Sequence, residues 1–218
     1  MNLYGRRYYD AQMAVPSDVH AWISRLRAEK IAAHIKPTDR VFEFGVGSGF
    51  NLAHLNCVTR IGSDINSFAT EEARLHGIEI VADDSAVSLG SFDVVICHHV
   101  LEHLLDPAAL CIRLAKLLKP SGKLLLFVPY EQQARYRQYD PNEKNHHLFS
   151  WTPQTFGNLI AACNLTVHSI CLASFGYDRI ASVIAKRVGI GEHGFRALRR
   201  VALAVRPEHE IRTVVMVS

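Results

Sequence analysis

Apolar positions along the chain follow two periods in turn. Val19, Trp22, Ile23 and Leu26 recur at helical spacing and predict a leading helix from Asp18 to about Ile35, stopped by Lys36-Pro37. From residue 41 onward, short apolar runs predict strands at Val41 to Gly45, Thr59 to Asp64, Ile78 to Ala82, Phe92 to Cys97, Lys123 to Val128 and Leu165 to Ser174. Several of these runs are continuously apolar, as in strands covered on both faces. Asp106-Pro107 and Thr152-Pro153 each set a capping side chain and a first-turn proline ahead of helical spacing, at Leu110, Leu114 and Leu117 and at Phe156, Leu159 and Ile160. Tyr177 to Arg206 reads as one or two helices, followed by a last strand over His209 to Val217. Strands alternating with helices predict the α/β class.

The chain has 218 residues, enough for one ordinary domain with a full core, and its 49% hydrophobic content excludes long-range disorder. No run of about 18 apolar residues occurs, and Arg6 and Arg7 near the start have no apolar run behind them, so neither a membrane span nor a signal peptide is expected. The five cysteines form no CxxC pair, which argues against a disulfide framework or a zinc ribbon and for the cytoplasm. No metal site is expected. A net charge of +3 is too mild to suggest a nucleic-acid binder.

Chemistry concentrates where predicted strands end. Glu43-Phe44-Gly45-Val46-Gly47-Ser48-Gly49 carries a strand into a glycine-rich turn, with a short helical pattern after Phe50, an arrangement that lets a ligand lie against bare backbone. A dinucleotide fingerprint requires a small residue where Phe50 stands, which weakens a nicotinamide reading. Asp64, at the end of the next strand, is placed to accept from both hydroxyls of a ribose. Asp83 and Asp84 follow the third strand, and one of them could meet the amino group of an adenine; a turn-forming role is the alternative.

Four segments in this order resemble class I S-adenosylmethionine-dependent methyltransferases of the small-molecule type. They are the loop at Glu43 to Gly49, the acidic end at Asp64, Phe92-Asp93-Val94-Val95-Ile96-Cys97-His98-His99-Val100-Leu101-Glu102-His103-Leu104, and Leu118-Lys119-Pro120-Ser121-Gly122-Lys123-Leu124. The resemblance implies a Rossmann-like, seven-stranded, mostly parallel sheet with an antiparallel last strand, helices on both faces and a helical insert before that strand. It divides a single domain, 1–218, into an N-terminal helical flap (1–36), a cofactor-binding core (37–175), the insert (176–207) and the last strand (208–218). It also implies that S-adenosylmethionine meets Gly45, Gly47 and Gly49 with its methionine part, Asp64 and Ile65 with its ribose, and Asp83 or Asp84 with its adenine. Glu43 would orient the loop and the ammonium group, Cys97 to His99 would lie under the sulfonium, and Tyr8 and Tyr9 resemble a flap over the cofactor. Glu102 and His103 belong to a recurrent turn pattern read as structural.

A hydroxyl acceptor calls for a general base, and histidine is the natural choice. The candidates are His98 or His99 at the cofactor crevice, then His146 or His147 in the long loop from Tyr130 to Trp151, which also carries Arg135 and Tyr136 and is suited to bind substrate. Asn145 to Trp151 is similar to methyltransferases of surface-polysaccharide synthesis, which points to a saccharide acceptor, nucleotide- or lipid-linked. Residues 177–206 carry a net excess of five positive charges and leave the remainder slightly acidic. Such a segment could face a phosphate-bearing or lipid-linked acceptor or a membrane surface, or be a solvated helix face. An NAD-dependent oxidoreductase and a non-catalytic S-adenosylmethionine-binding accessory protein are the alternative functions.

Overall fold

The computed structural model describes residues 15–131, 137–141, 143 and 145–217. Tyr8, Tyr9, Arg135 and Tyr136 lie outside the described residues. Helix α1 (Ser17–Ala32) precedes β1 (Arg40–Phe44), β2 (Thr59–Ser63), α2 (Ser67–Leu75), β3 (Glu79–Ile80), β4 (Phe92–His98), α3 (Pro107–Lys116) and β5 (Leu118–Tyr130). Helix α4 (Pro153–Ala162), β6 (Thr166–Ser174), α5 (Asp178–Arg187), α6 (Gly191–Val205) and β7 (His209–Met216) complete the order. The strands form one sheet in the order β3-β2-β1-β4-β5-β7-β6. Neighbours from β3 to β5 are parallel, whereas β7 is antiparallel to both β5 and β6. The expected architecture is therefore present.

Local chemistry explains the boundaries. Asp106 accepts from the Ala109 N–H at 2.8 Å and Thr152 from that of Thr155 at 3.2 Å, each ahead of its helix. Three expectations differ. The pattern after Phe50 forms turns and no α-helix, because Gly45, Gly47 and Gly49 all hold positive φ and keep the chain turning. Strand β3 shrinks to two residues, and β5 begins at Leu118, five residues early, with a register shift opposite Phe92 and Val94.

Two cores flank the sheet. On one face Leu110, Leu114, Phe156 and Ile160 of α3 and α4 pack on Phe42, Val95 and Leu126; on the other, Ala28, Ile31 and Ala73 of α1 and α2 pack on Val41, Val94 and Leu125. A third cluster joins Val19 and Ile23 of α1 to Ala181, Ala185 and the fully buried Phe195 of α5 and α6. The helical insert thus sits on the leading helix, and its charges serve that contact. Arg196 pairs with Glu29 at 2.7 Å, Arg25 donates to Glu192 at 3.0 Å, and Lys186 pairs with Asp18. Within the insert Arg199 pairs with Asp178 at 2.7 Å. The positive excess read from the sequence is in this part an internal fastening, while Ile180, Val188, Val201 and Val205 stay exposed. No helix of the described residues is long and apolar enough to cross a membrane.

Candidate active site

A cavity of about 1240 Å³ opens at the carboxyl ends of β1, β2 and β4, lined by the Gly45–Ser48 backbone, Asp64, Asp83, His99, Glu102 and Tyr177 among others. Parallel strands that end together leave this crevice by construction. The N–H groups of Gly45 and Val46 donate to the Ser63 carbonyl at 2.8 and 3.0 Å, which folds the loop over the end of β2. Asp64 then accepts from the Gly47 N–H and the Asn66 N–H, both at 2.8 Å. Burial raises its carboxyl above the ordinary value against the pull of those two bonds.

The three loop glycines separate by role. A Cβ on Gly45 would stand 2.3 Å from Val100, and one on Gly49 would stand 2.3 Å from Ile78, so these two permit close packing; a Cβ on Gly47 would meet nothing, because Gly47 faces the cavity. Gly49 does not line the cavity, and neither does Glu43. Glu43 lies fully buried beneath the loop and accepts from the Asn51 amide at 2.6 Å. That position lets Glu43 hold the loop through Asn51.

Burial raises Glu43 to about 8, with Asp64 adding to the shift and Asn51, Arg27 and Lys30 opposing it. The folded carboxyl thus binds its proton more tightly than the unfolded one, whose ordinary value is 4.5. The stability it contributes is complete below that value and is lost as the pH rises through about 8. Glu43→Gln should therefore melt close to the wild type at pH 5 and increasingly above it toward pH 9. Parallel melting curves at all pH values would refute the assignment.

Asp83 and Asp84 both line the cavity and diverge in their contacts. Arg113 holds Asp84 through two bonds of 2.9 Å. Asp83 stays exposed and caps the turn by accepting from the Ser85 N–H at 2.7 Å. Cys97 is buried in the core with Phe42 and Val95, on the side of the sheet opposite its neighbour His98, because successive strand side chains alternate. Its thiol does not line the cavity as expected; Ile65, Gly45 and Gly47 do.

The histidine pair meets a network that joins both ends of the described chain. Lys30 of α1 donates to Glu210 of β7 at 2.7 and 2.9 Å and to His98 Nε2 at 2.6 Å. Glu210 Oε2 also stands 3.1 Å from His99 Nε2, and its Oε1 accepts from Arg212 at 2.9 Å. Burial and the neighbouring ammonium hold His98 well below its ordinary value, so it is neutral and its Nε2 lone pair is occupied. Burial opposes charge on Glu210, yet Lys30 and the two imidazoles together keep it ionised. His99 adopts a positive φ of 54° at the end of β4, which swings its ring into the cavity beside His98, the two stacking at 4.4 Å. In the tautomer that donates Nε2–H to Glu210, the lone pair is on Nδ1.

Opposite them lies a second cluster. Glu102 Oε1 stands 3.9 Å from His99 Nδ1, 4.0 Å from His103 Nε2 and 4.0 Å from His147 Nε2. Glu131 reaches the other nitrogen of His147 at 2.9 Å. The carbonyl of Glu102 accepts from Leu148 and Phe149, which ties the loop after β5 to this turn. His146 points away: it is exposed, outside the cavity, with its N–H donated to Glu143 at 2.7 Å. Tyr9 lies outside the described residues.

Sequence reasoning missed Arg27, Lys30, Glu210 and the place of the Glu102 carboxylate among three imidazoles. A signal was present. Arg27 and Lys30 continue the apolar stripe of α1 from Ile23 and Leu26, and Glu210 stands next to the apolar Ile211 in the strand that ends Val214-Val215-Met216. Charges on faces that must be buried imply partners for one another.

A family model described as a methyltransferase domain matches residues 9–170. A ubiquinone biosynthesis O-methyltransferase of Xanthomonas axonopodis pv. citri is 36% identical over 135 residues, 55% of either chain. Its counterpart in Xanthomonas campestris pv. campestris is 32% identical over 136 residues. The chain thus spans about half the length of the curated relatives it matches. Among solved structures, the Haemonchus contortus phosphoethanolamine N-methyltransferase 2 in complex with S-adenosyl-L-methionine superposes with a TM-score of 0.60 at 16% identity, over 90% of this chain and 52% of that one. An S-adenosylmethionine dependent methyltransferase from Mesorhizobium loti gives 0.54 at 16% identity, over 87% and 96%. These two likenesses concern the fold; the family model, which spans most of the sequence, makes the chain a member of the methyltransferase domain family.

Proposed function

We propose that the protein transfers a methyl group from S-adenosylmethionine to a hydroxyl of a small aromatic molecule, in the cytoplasm. The observation that carries this reading is one shared cavity with a cofactor side and an acceptor side. The cofactor side holds the open Gly47 backbone, Asp64 and Asp83; the acceptor side holds His99, backed by Glu210. The site fits the cofactor chemically. Gly47 leaves space against bare backbone, and Asp64 has lone pairs beyond its two backbone bonds for a ribose; Arg27, on the cavity wall, is ion-paired through Nε with Asp178 at 3.7 Å.

When bound, S-adenosylmethionine supplies an electrophilic methyl carbon on a sulfonium, an excellent leaving group. The protein's part is then alignment and one proton. Holding acceptor and methyl in line can contribute effective molarities of about 10⁵–10⁸ M. His99 Nδ1 takes the hydroxyl proton while Glu210 steadies the imidazolium, and His98 with Lys30 keeps that carboxylate in place. The O-methyltransferase names of the relatives favour an aromatic hydroxyl over the saccharide suggested by Asn145 to Trp151. Five free cysteines support a reducing compartment. Exposed Ile180, Val188, Val201 and Val205 support peripheral contact with a membrane or lipid-bearing acceptor through residues 177–206.

Calorimetry with S-adenosylmethionine and radiolabelled methyl transfer to catechols, simple phenols and nucleotide sugars test this. Asp64→Ala should weaken cofactor binding by about tenfold or more, the loss of roughly one to two charged hydrogen bonds. Tight NAD binding without S-adenosylmethionine binding would overturn the proposal, and cofactor binding without turnover on any acceptor would favour an accessory protein.

A further inference from the structure

The described residues contain two places where histidine and carboxylate atoms converge: His98, His99 and Glu210, and Glu102, His103 and His147. The first already has a cation, since the Lys30 ammonium stands 2.6 to 2.9 Å from His98 and from both oxygens of Glu210. The second has none among the described residues. Glu102 is fully buried in the wall of the cavity, and neither carboxylate oxygen makes a hydrogen bond. A buried carboxylate without a partner is costly, by several kcal/mol in general. Imidazole nitrogens of His99, His103 and His147 stand 3.9 to 4.0 Å from its Oε1.

We propose that Glu102, His103 and His147 bind a divalent transition-metal ion, with its remaining coordination positions open to the acceptor side of the cavity. The ligand atoms lie within 4.8 Å of one another. Metal bonds of about 2.0–2.2 Å set such atoms roughly 3 Å apart or slightly more, so closure around an ion requires each side chain to move by less than about 1 Å. Two imidazoles and one carboxylate select zinc, iron(II), cobalt or manganese over magnesium or calcium, which prefer oxygen alone. Glu131 completes the arrangement. Standing 2.9 Å from His147 Nδ1, it fixes the ring with Nε2 directed inward, as an outer carboxylate does behind a metal-bound histidine. The loop carrying His147 is held to the turn carrying Glu102 by the backbone bonds of Leu148 and Phe149, so the ligands from the two segments are already together.

The open positions indicate the acceptor class. An ion here is adjacent to His99, and two neighbouring hydroxyl oxygens could share it, one of them losing its proton to His99 Nδ1. The acceptor is then a vicinal diol, catecholic in type. This use of the ion rests on the methyl-transfer reading; binding of the ion does not.

The test is calorimetric titration of the chelator-treated full chain with Zn²⁺ and with Mn²⁺, without cofactor or acceptor. One saturable site is expected, weakened at least about tenfold by Glu102→Gln and by His147→Gln, and by roughly 10- to 100-fold in Glu131→Gln. Circular dichroism identifies any variant that fails to fold, and the remaining variants then decide. No saturable binding, or binding equal to wild type in the folded Glu102 and His147 variants, would overturn the site. S-adenosylmethionine titrated into the same chelated protein separates the two readings: cofactor binding without metal binding rejects the ion alone, and the converse rejects the methyl-transfer reading alone.

Discussion

Replacing Glu210 by Leu should lower the stability of the protein by about 3–5 kcal/mol, the usual cost of removing one partner of a buried pair. At roughly 2–4 °C per kcal/mol for a chain of this size, the melting temperature falls by about 6–20 °C. The reason is local. Glu210 is fully buried and is the shared acceptor of Lys30, His99 and Arg212. Without it the Lys30 ammonium, itself inside the protein between Phe127 and Phe175, has only a neutral imidazole as partner. Burial already brings Lys30 down to about 8 against the pull of Glu210, and removing that pull favours the neutral amine further. The paired change Glu210→Leu with Lys30→Met should recover a substantial part of the loss, because an apolar pair of similar volume leaves no charge to desolvate. Thermal melts of the two variants decide it. A single variant within a couple of degrees of wild type, or a double variant no better than the single, would show that the network is not a coupled unit.

Replacing His99 by Asn should reduce turnover by about 10²–10⁴-fold while leaving S-adenosylmethionine affinity within a few-fold of wild type. Asparagine is chosen because the position has a φ of 54°, and among non-glycine residues Asn accepts that backbone most readily. The variant therefore removes the base and keeps the turn. His98→Asn is a different experiment, since His98 acts through Lys30 and Glu210 and does not receive the proton. Single-turnover methyl transfer measured beside calorimetry separates the outcomes. If His99→Asn keeps more than about a third of wild-type turnover, His99 is not the base. If cofactor affinity collapses together with turnover, the effect is one of folding at the end of β4.

How much of this was legible in the residues differs between fold and site. Strand-by-strand alternation and the two proline-led helices were readable because local pattern and burial agree there; the antiparallel direction of the last strand followed from the family resemblance alone. The turns after Phe50 were not, since three glycines in left-handed conformation override an apolar spacing that resembles a helix. In the site, Asp64 and His99 could be found because they stand at strand ends, where the fold directs ligands. Glu43, Cys97, Gly49 and His146 share the same motifs and still do not line the cavity, because one-residue differences in facing decide which side chains do. Lys30 and Glu210 were hidden for another reason: their meaning lies in each other, and their sequence separation is 180.

That separation also bears on the order in which a nascent chain acquires function. Helix α1 leaves the ribosome early with Lys30, and β1 to β5 can begin to pair behind it, domains generally folding as they emerge. His99, however, has no carboxylate behind it until β7 has been synthesised and has inserted between β5 and β6. The cofactor side of the cavity is thus built from early-translated segments, and the carboxylate behind the base comes from a later one. A stalled or truncated chain lacking β7 would be expected to lack the oriented base whatever its cofactor side can bind.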